Sequence, residues 1–282
     1  MRRLTFTNNR GESIEFYLSP LLIESLEGIG EVEAELQEQV APYRDGSIHI
    51  DAILRPRFIE LEGSITNINL EEIRKKRQEL SRVCNPKLGL GKITLELDGS
   101  IKEIHGVPEG SVVFPDRERN PFQPFMITWK CPDPYWKDLQ EVSRDLKAYE
   151  GKFTFPFQFP VQFGIESDNT TLINEGDTSA PVIIEIKGPI RRPIIENLTT
   201  GKYMQINAII EADQTLVIDT NPRNKRVEIK SGGETRKVMG FFDHGGDFWQ
   251  LDVGENEIRY RADAGIADAV ATVSWQNQYV GI

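Results

Sequence analysis

The stretch FFDHGGDFW (241–249) sets Asp243, His244 and Asp247 around two glycines, a combination of carboxylates and imidazole that could bind a metal ion or share acid and base work. A hairpin explains the same residues, because the aromatic residues flank a Gly-Gly pair at the place where a tight turn needs one. A second candidate is Cys131-Pro132-Asp133-Pro134-Tyr135-Trp136. A nucleophilic thiol needs a base and a positively biased setting, and here an acid follows the cysteine and no histidine is near. FMITWKC (125–131) reads as a strand, and the two prolines then force an extended exit in which Tyr135 and Trp136 cover the end of a core. This stretch is expected to be a joint and not a site. His49 and His105 lie in alternating, strand-like stretches.

Other chemistry has no signature. GxSxG, HExxH and the P-loop pattern are all missing, and Gly89-Leu90-Gly91 lacks the third glycine of a dinucleotide fingerprint. The two cysteines, Cys84 and Cys131, form neither a disulfide framework nor a ligand-spaced group. No catalytic residue, cofactor or metal is expected.

The elements that must position these residues are mostly strands. Period-two alternation runs through SIHIDAIL (47–54), RFIELEGSI (57–65), KITLEL (92–97), TLVID (215–219), RVEIK (226–230) and NEIRYRA (256–262), each read as a half-buried strand. One helix is expected over about 70–84. Asn69 and Glu72 form a capping box before a stripe of Leu70, Ile73, Leu80 and Val83, and Asn85-Pro86 ends it. The opposite face carries Arg74, Lys75, Lys76 and Arg77, read either as a solvated face or as a subunit contact. In FTFPFQFPVQF (153–163) the phenylalanines share one face of an extended strand, and Pro156 and Pro160 fall on the other. That segment is expected to be an edge strand or to lie flat across a surface, and to begin or staple a second domain.

At 282 residues the length suits two domains, and 39% hydrophobic with 27% charged residues is ordinary for a folded chain. The formal net charge is −11, and neither half is basic, which argues against nucleic-acid binding as the main function. No apolar region follows the two N-terminal arginines and no run approaches a membrane span, so synthesis and folding in the cytoplasm, without membrane insertion, are expected.

Taken in order, YRDGSIHIDAILRPRFIELEGSI, a helix, NPKLGLGKITLELDGS and NPFQPFMITWKCPDPYW resemble the N-terminal domain of the distal tail proteins of long-tailed, non-contractile (siphovirus-type) bacteriophages. LVIDTNPRNKRVEIKSGG and DFWQLDVGENEIRYRA resemble the galectin-like, carbohydrate-module-like β-sandwich that ends the same family. The resemblance implies a mainly β fold of two sandwich-like domains. Residues 1–140 would form a ring-building domain with the single helix on a sheet, and residues 141–282 the galectin-like sandwich. It further implies a homo-hexameric ring at the virion tail tip, assembled in the bacterial host cytoplasm. The ring would join the tail tube protein to the tail-associated lysin, the baseplate and the host-adsorption proteins. Arg74 and Arg77 would then be candidate subunit contacts. The alternative is a saccharide-binding adhesin acting through Trp249, Tyr260 and Trp275. A cell-wall hydrolase is the weakest reading, for want of a metal motif or nucleophile elbow.

Overall fold

The structure, a computed structural model, describes residues 2–66, 69–117, 120–146, 169–265 and 269–282. The phenylalanine-rich stretch 153–163 lies outside the described residues. The chain divides into two compact units, Met1–Leu139 with Tyr279–Ile282, and Gln140–Gln278.

The first unit contains β1 (Arg2–Thr7), β2 (Ser13–Phe16), β3 (Leu21–Glu27), β4 (Ala34–Gln39), β5 (Ile48–Leu54), β6 (Arg57–Ile65), α1 (Leu70–Val83), β7 (Gly91–Leu97), β8 (Ser100–Pro108), β9 (Gln123–Cys131) and β10 (Trp136–Asp138). Its main sheet runs β2-β1-β7-β8-β9-β6-β3, with β10 attached to β8. The two end strands are joined by the short turn 17–20, and Tyr17 bridges Leu22, so the sheet must curl until its ends meet. The alternation read from the sequence supplies the inside. Leu4, Phe6, Ile59, Leu61, Ile93, Leu95, Phe125 and Trp129 are all buried in one core. Phe6 and Phe16 pack against Trp129, with centroids 5.5 and 6.1 Å apart.

The helix forms where its capping box predicts. Asn69 Oδ1 accepts from the Glu72 amide at 3.0 Å, and Glu72 Oε2 accepts from the Asn69 amide at 3.1 Å. Ile73, Leu80 and Val83 join the core, whereas Leu70, expected in the apolar stripe, is exposed because it sits in the first turn ahead of the packed face. The Asn8 side chain donates to Val83 O at 3.3 Å and ties the helix end to the β1–β2 turn. An Asn69→Ala change, which removes the side-chain cap on the Glu72 amide, is expected to cost about 1 kcal/mol and to lower the melting temperature by roughly 3 °C in a thermal scan.

The second unit is a sandwich of two sheets. It contains β11 (Val142–Leu146), β12 (Thr170–Asn174), β13 (Val182–Lys187), β14 (Ile190–Arg191), β15 (Ile194–Asn197), β16 (Lys202–Gln205), β17 (Ile209–Ile210), β18 (Gln214–Asp219), β19 (Arg226–Ser231), β20 (Glu234–Lys237), β21 (Gly254–Arg261) and β22 (Val270–Trp275), before β23 (Gln278–Tyr279). One sheet is ordered β11-β22-β13-β18-β19-β20 and the other β12-β21-β15-β16. Inward residues of both interleave in one core, among them Val182, Ile184, Leu216, Ile218 and Val273 from the first sheet and Leu172, Ile195, Met204 and Ile258 from the second. The GEN triplet is a pinned turn. Asn256 Nδ2 donates to Asp252 O at 2.7 Å and Gly254 O at 3.1 Å, and its Oδ1 accepts from the Asp252 amide at 3.0 Å. Gly254 has φ +89°, which glycine alone adopts without strain.

Candidate functional site

The residues that looked most chemical turn out to be structural. FFDHGGDFW is not a hairpin: residues 239–241 form a short 3-10 helix, and the loop then runs along β16. The local turn forms, with Gly246 N donating to Asp243 O at 3.0 Å, but its flanks pair with β16 and not with each other: Asp243 N and Asp247 N donate to Gln205 O and Tyr203 O at 2.9 Å each. The Asp243 carboxylate accepts from the Tyr203 hydroxyl at 2.9 Å, the Asn207 amide at 3.3 Å and the Gly245 N–H at 3.2 Å. Those donors, the Tyr203 hydroxyl first, hold its carboxyl below the usual aspartate range. Among the described residues no three His, Cys, Asp or Glu side chains converge as metal ligands would.

Cys131 ends β9 with no exposed surface, and burial pushes its thiol up to about 12, Arg57 opposing the shift and Asp133 adding to it. Burial pushes Cys84 up to about 12 as well. At pH 8 only about one thiol in ten thousand would be ionised at such values, so neither serves as a nucleophile. The native protein is expected to release no chromophore from a thiol-reactive disulfide reagent within an hour, and two equivalents once denatured. One fast native equivalent would contradict this burial.

The proline stretch after Cys131 is the joint its sequence describes. Pro134 O accepts from Arg57 Nε at 2.8 Å, and the buried Trp136 indole donates to Ile29 O at 3.0 Å. Arg57 itself is 1% exposed and also donates to Gly28 O and Glu31 O, each at 2.8 Å, and to Val280 O. Its fixed, fork-shaped guanidinium gathers three segments of the first unit around one buried cation.

The aromatics proposed for saccharide contact are core residues. Trp249, Tyr260 and Trp275 are 1, 1 and 3% exposed, and the indoles of Trp249 and Trp275 donate internally to Ile195 O and Asn277 Oδ1. They offer no ring face on which a sugar could stack: the pleat of β21 and β22 turns Tyr260 and Trp275 into the sandwich, and the loop before β21 buries Trp249 in the same core.

Two exposed surfaces of the first unit stand out among the described residues. β4 and β5 form a separate two-stranded ribbon, and nearly all of its residues are exposed. SIHIDAIL was expected to be half-buried, yet Ile48, Ile50 and Ile53 are 62, 64 and 53% exposed, and Leu36, Val40 and Tyr43 are exposed with them. The pairing makes the ribbon two-faced. Ala34 opposes Leu54 and Leu36 opposes Ala52, so these four share a face. A register shift between Gln37 and Glu38 leaves Ile50 of β5 as the extra residue and sets Glu38 opposite His49, so Glu38 and His49 fall on that same face and Glu35, Gln37, Asp51 and Ile53 share the other.

Charge on α1 is unevenly satisfied. Lys75 pairs with Glu71 at 3.0 Å, Lys76 with Glu79 at 2.7 Å and Arg82 with Glu12 at 3.5 Å. Among the described residues Arg74 and Arg77 have no carboxylate partner. Both line an open groove of about 580 Å³ with Gln78, Ser81, Ser111, Val112 and Phe114, and the Arg77 guanidinium lies 4.7 Å from the Phe114 ring centre. The sequence singled out these two arginines but not the ribbon, whose signal was visible only as ordinary strand alternation.

The first unit is thus a curled sheet with one helix packed on it, and the second a two-sheet sandwich. Residues 9–131 match the phage tail protein RIFT-related domain family, and residues 175–279 match the C-terminal domain of the siphovirus-type tail component family. The chain belongs to the siphovirus distal tail proteins, structural components of the phage tail. Its fold is similar to that of the Dit protein of phage SPP1, described as a paradigm of hub adsorption apparatus in Gram-positive infecting phages, at 13% identity, with 98% of each chain covered and a TM-score of 0.69. It is also similar to a chain of the phage P2 baseplate in its activated conformation with Ca, at 8% identity over all of both chains with a TM-score of 0.56. The P2 baseplate structure with Sr gives the same values. No curated protein matches the chain.

Proposed function

We propose that this protein is the hub of a siphovirus tail tip. Six copies assemble as a ring through the first unit, Met1–Leu139 with Tyr279–Ile282. The ring joins the tail tube protein to the tail-associated lysin, the baseplate and the host-adsorption proteins. It works by holding these parts together and not by catalysis, and it is made and assembled in the host cytoplasm. The second unit is a galectin-like sandwich that offers outward surface to protein partners.

The observation that carries this reading is the β4–β5 ribbon. An isolated two-stranded ribbon is marginal in water, and this one leaves Leu36, Ile48, Ile50 and Ile53 exposed among the described residues. Such a surface is stable where assembly buries it. No described helix is long and apolar enough to cross a membrane, so the likeness to tail proteins needs no membrane-spanning helix to accommodate.

The test is the solution mass of the full chain by light scattering over a concentration series. A species near six times the 32.1 kDa monomer is expected, in solution or on added tail tubes. A monomer under both conditions would overturn the ring. Full-length protein that instead sediments with purified cell wall would replace the hub with an adhesin.

A further inference from the structure

Resting on the ring just described, we infer that the outer face of β3 and β6, where Glu27 faces Glu60, docks on the α1 groove of the next copy. Arg74 and Arg77 then receive its carboxylates. β3 and β6 pair so that Leu26 and Leu61 turn into the core, while Glu27 and Glu60 stand directly opposite each other on the outside. Like charges in that position destabilise a sheet, and a cation placed against them relieves the repulsion. Glu62, two residues along β6, puts a third carboxylate on this face. None of the three has a hydrogen bond or ion pair among the described residues. The nearest cation in the register, Lys130 of β9, lies 5.8 Å from the Phe58 ring centre, and the buried Arg57 is taken up by four carbonyls.

The groove is the complementary half. On α1, Lys75, Lys76 and Arg82 have acidic partners; among the described residues Arg74 and Arg77 have none, and both line the groove beside Phe114. Side chains three residues apart on a helix have Cβ atoms about 5–6 Å apart. Opposed residues of an antiparallel pair have Cβ atoms about 4.5–5.5 Å apart. Two guanidinium forks and two carboxylates therefore match in spacing as well as in sign, one fork to each carboxylate. Glu27 and Glu60 also open onto a pocket of about 200 Å³ walled by Glu31 and Phe58, which gives an incoming guanidinium room. Phe114, 4.7 Å from the Arg77 guanidinium, restrains that fork and lowers the entropy lost on binding.

A second copy is the occupant that the charges favour. The chain carries 44 acidic and 33 basic side chains, so copies repel one another unless basic groups of one meet acidic groups of the next locally. The two surfaces also face opposite ways. Val113 pairs with Met126 and shares the outer face, whereas its neighbours Val112 and Phe114 turn to the core and the groove. A contact between such different surfaces is head-to-tail, and repeated head-to-tail contacts close into a ring when the rotation permits. Docking would cover Phe58 and Met126, which are 40 and 41% exposed on the outer face, and so exclude water from the ion pairs.

The deciding experiment is a charge exchange on the full chain, read by light scattering. Arg74→Glu with Arg77→Glu, and separately Glu27→Arg with Glu60→Arg, are each expected to raise the concentration for half-assembly at least tenfold, and the fourfold variant to recover most of that loss. Glu27→Lys alone places a cation opposite Glu60 within one chain. It is expected to raise the melting temperature of the unassembled protein by about 1–3 °C while weakening assembly, a combination that misfolding does not produce. Because Cys84 and Cys131 are buried, Glu60→Cys with Arg77→Cys can be joined selectively by a short bismaleimide, and ladders at multiples of the monomer mass are expected. Unchanged assembly in either reversal, a fourfold variant as defective as its parents, or an assembled chain without a ladder would overturn the contact. So would an arginine reversal that assembles normally but no longer joins tail tubes, which would give the groove to the tube protein. A parent ring with indifferent reversals refutes this contact alone, whereas a parent that never assembles refutes the ring with it.

Discussion

Replacing Arg57 with methionine is expected to lower the melting temperature by roughly 10–20 °C and to release residues 279–282 from the first unit. The buried guanidinium bonds carbonyls at Gly28, Glu31, Pro134 and Val280, which come from parts of the chain far apart in sequence. Methionine would fill much of the volume but take away the donor that Arg57 supplies to each of these four carbonyls. Hydrogen bonds to a charged group contribute about 1.5–3 kcal/mol each, and removing one member of a buried charged network costs roughly 3–5 kcal/mol in all. At about 3–4 °C per kcal/mol for a unit of this size, that is the shift stated. Burial lowers the Arg57 pKa, with the nearby Cys131 and Glu31 opposing, yet an arginine starts so high that it stays cationic near neutrality. Arg57→Lys should recover little, because an ammonium is a point donor and cannot span carbonyls that a planar fork reaches. The last residues make the effect visible. Gly281 lies so close to Gly30 that a Cβ on it would fall 2.6 Å from the Gly30 carbonyl oxygen, and Ile282 packs against the core, so the segment sits tightly in place. Amide exchange in a peptide covering 279–282 should rise by orders of magnitude in the methionine variant. A variant that melts within 2 °C of the parent with that peptide still protected would show the carbonyls to be satisfied otherwise.

Much of this architecture was legible in the sequence, for reasons that are local. A capping box needs only Asn69 and Glu72, and both bonds form. Strand alternation in KITLEL and RVEIK places Ile93, Leu95, Val227 and Ile229 inside because a pleat has a period of two. The joint at Cys131–Trp136 followed from what two prolines forbid. What failed was non-local. Two glycines between aromatics announce a turn, but whether the flanks pair with each other or with β16 depends on a strand nearly 40 residues earlier. Trp249, Tyr260 and Trp275 were plausible sugar contacts because residue type says nothing of which face the fold turns inward.

SIHIDAIL is the more instructive case. Its alternation correctly predicted a strand, and the inference that its own domain covers its isoleucines was the error. Alternation reports that a face is to be buried and is silent about which molecule buries it. In a monomeric domain the two readings coincide, and in an assembling one they separate at the surfaces that assemble.

That distinction fixes the last expected result. Ile48→Lys with Ile50→Lys should leave the fold intact and shift half-assembly upward at least 100-fold in concentration. The two side chains are 62 and 64% exposed in the single chain, so lysine there removes almost no intrachain packing, and exposed substitutions usually change stability by less than about 0.5 kcal/mol. Within an assembly the same positions lose roughly 1.5–3 kcal/mol of burial each, and two ammonium groups must be desolvated or turned away. A loss of about 2.7 kcal/mol is already 100-fold. Ile209→Lys is the matched control, since Ile209 is 58% exposed in the second unit and takes no part in the ribbon. If the double lysine variant assembles at the parent's concentration, Ile48 and Ile50 are solvent-facing in the ring as well. The alternation in SIHIDAIL would then record only the strand's tolerance of isoleucine. If it fails to assemble while Ile209→Lys succeeds, the period-two pattern is the imprint of a neighbouring subunit on this sequence.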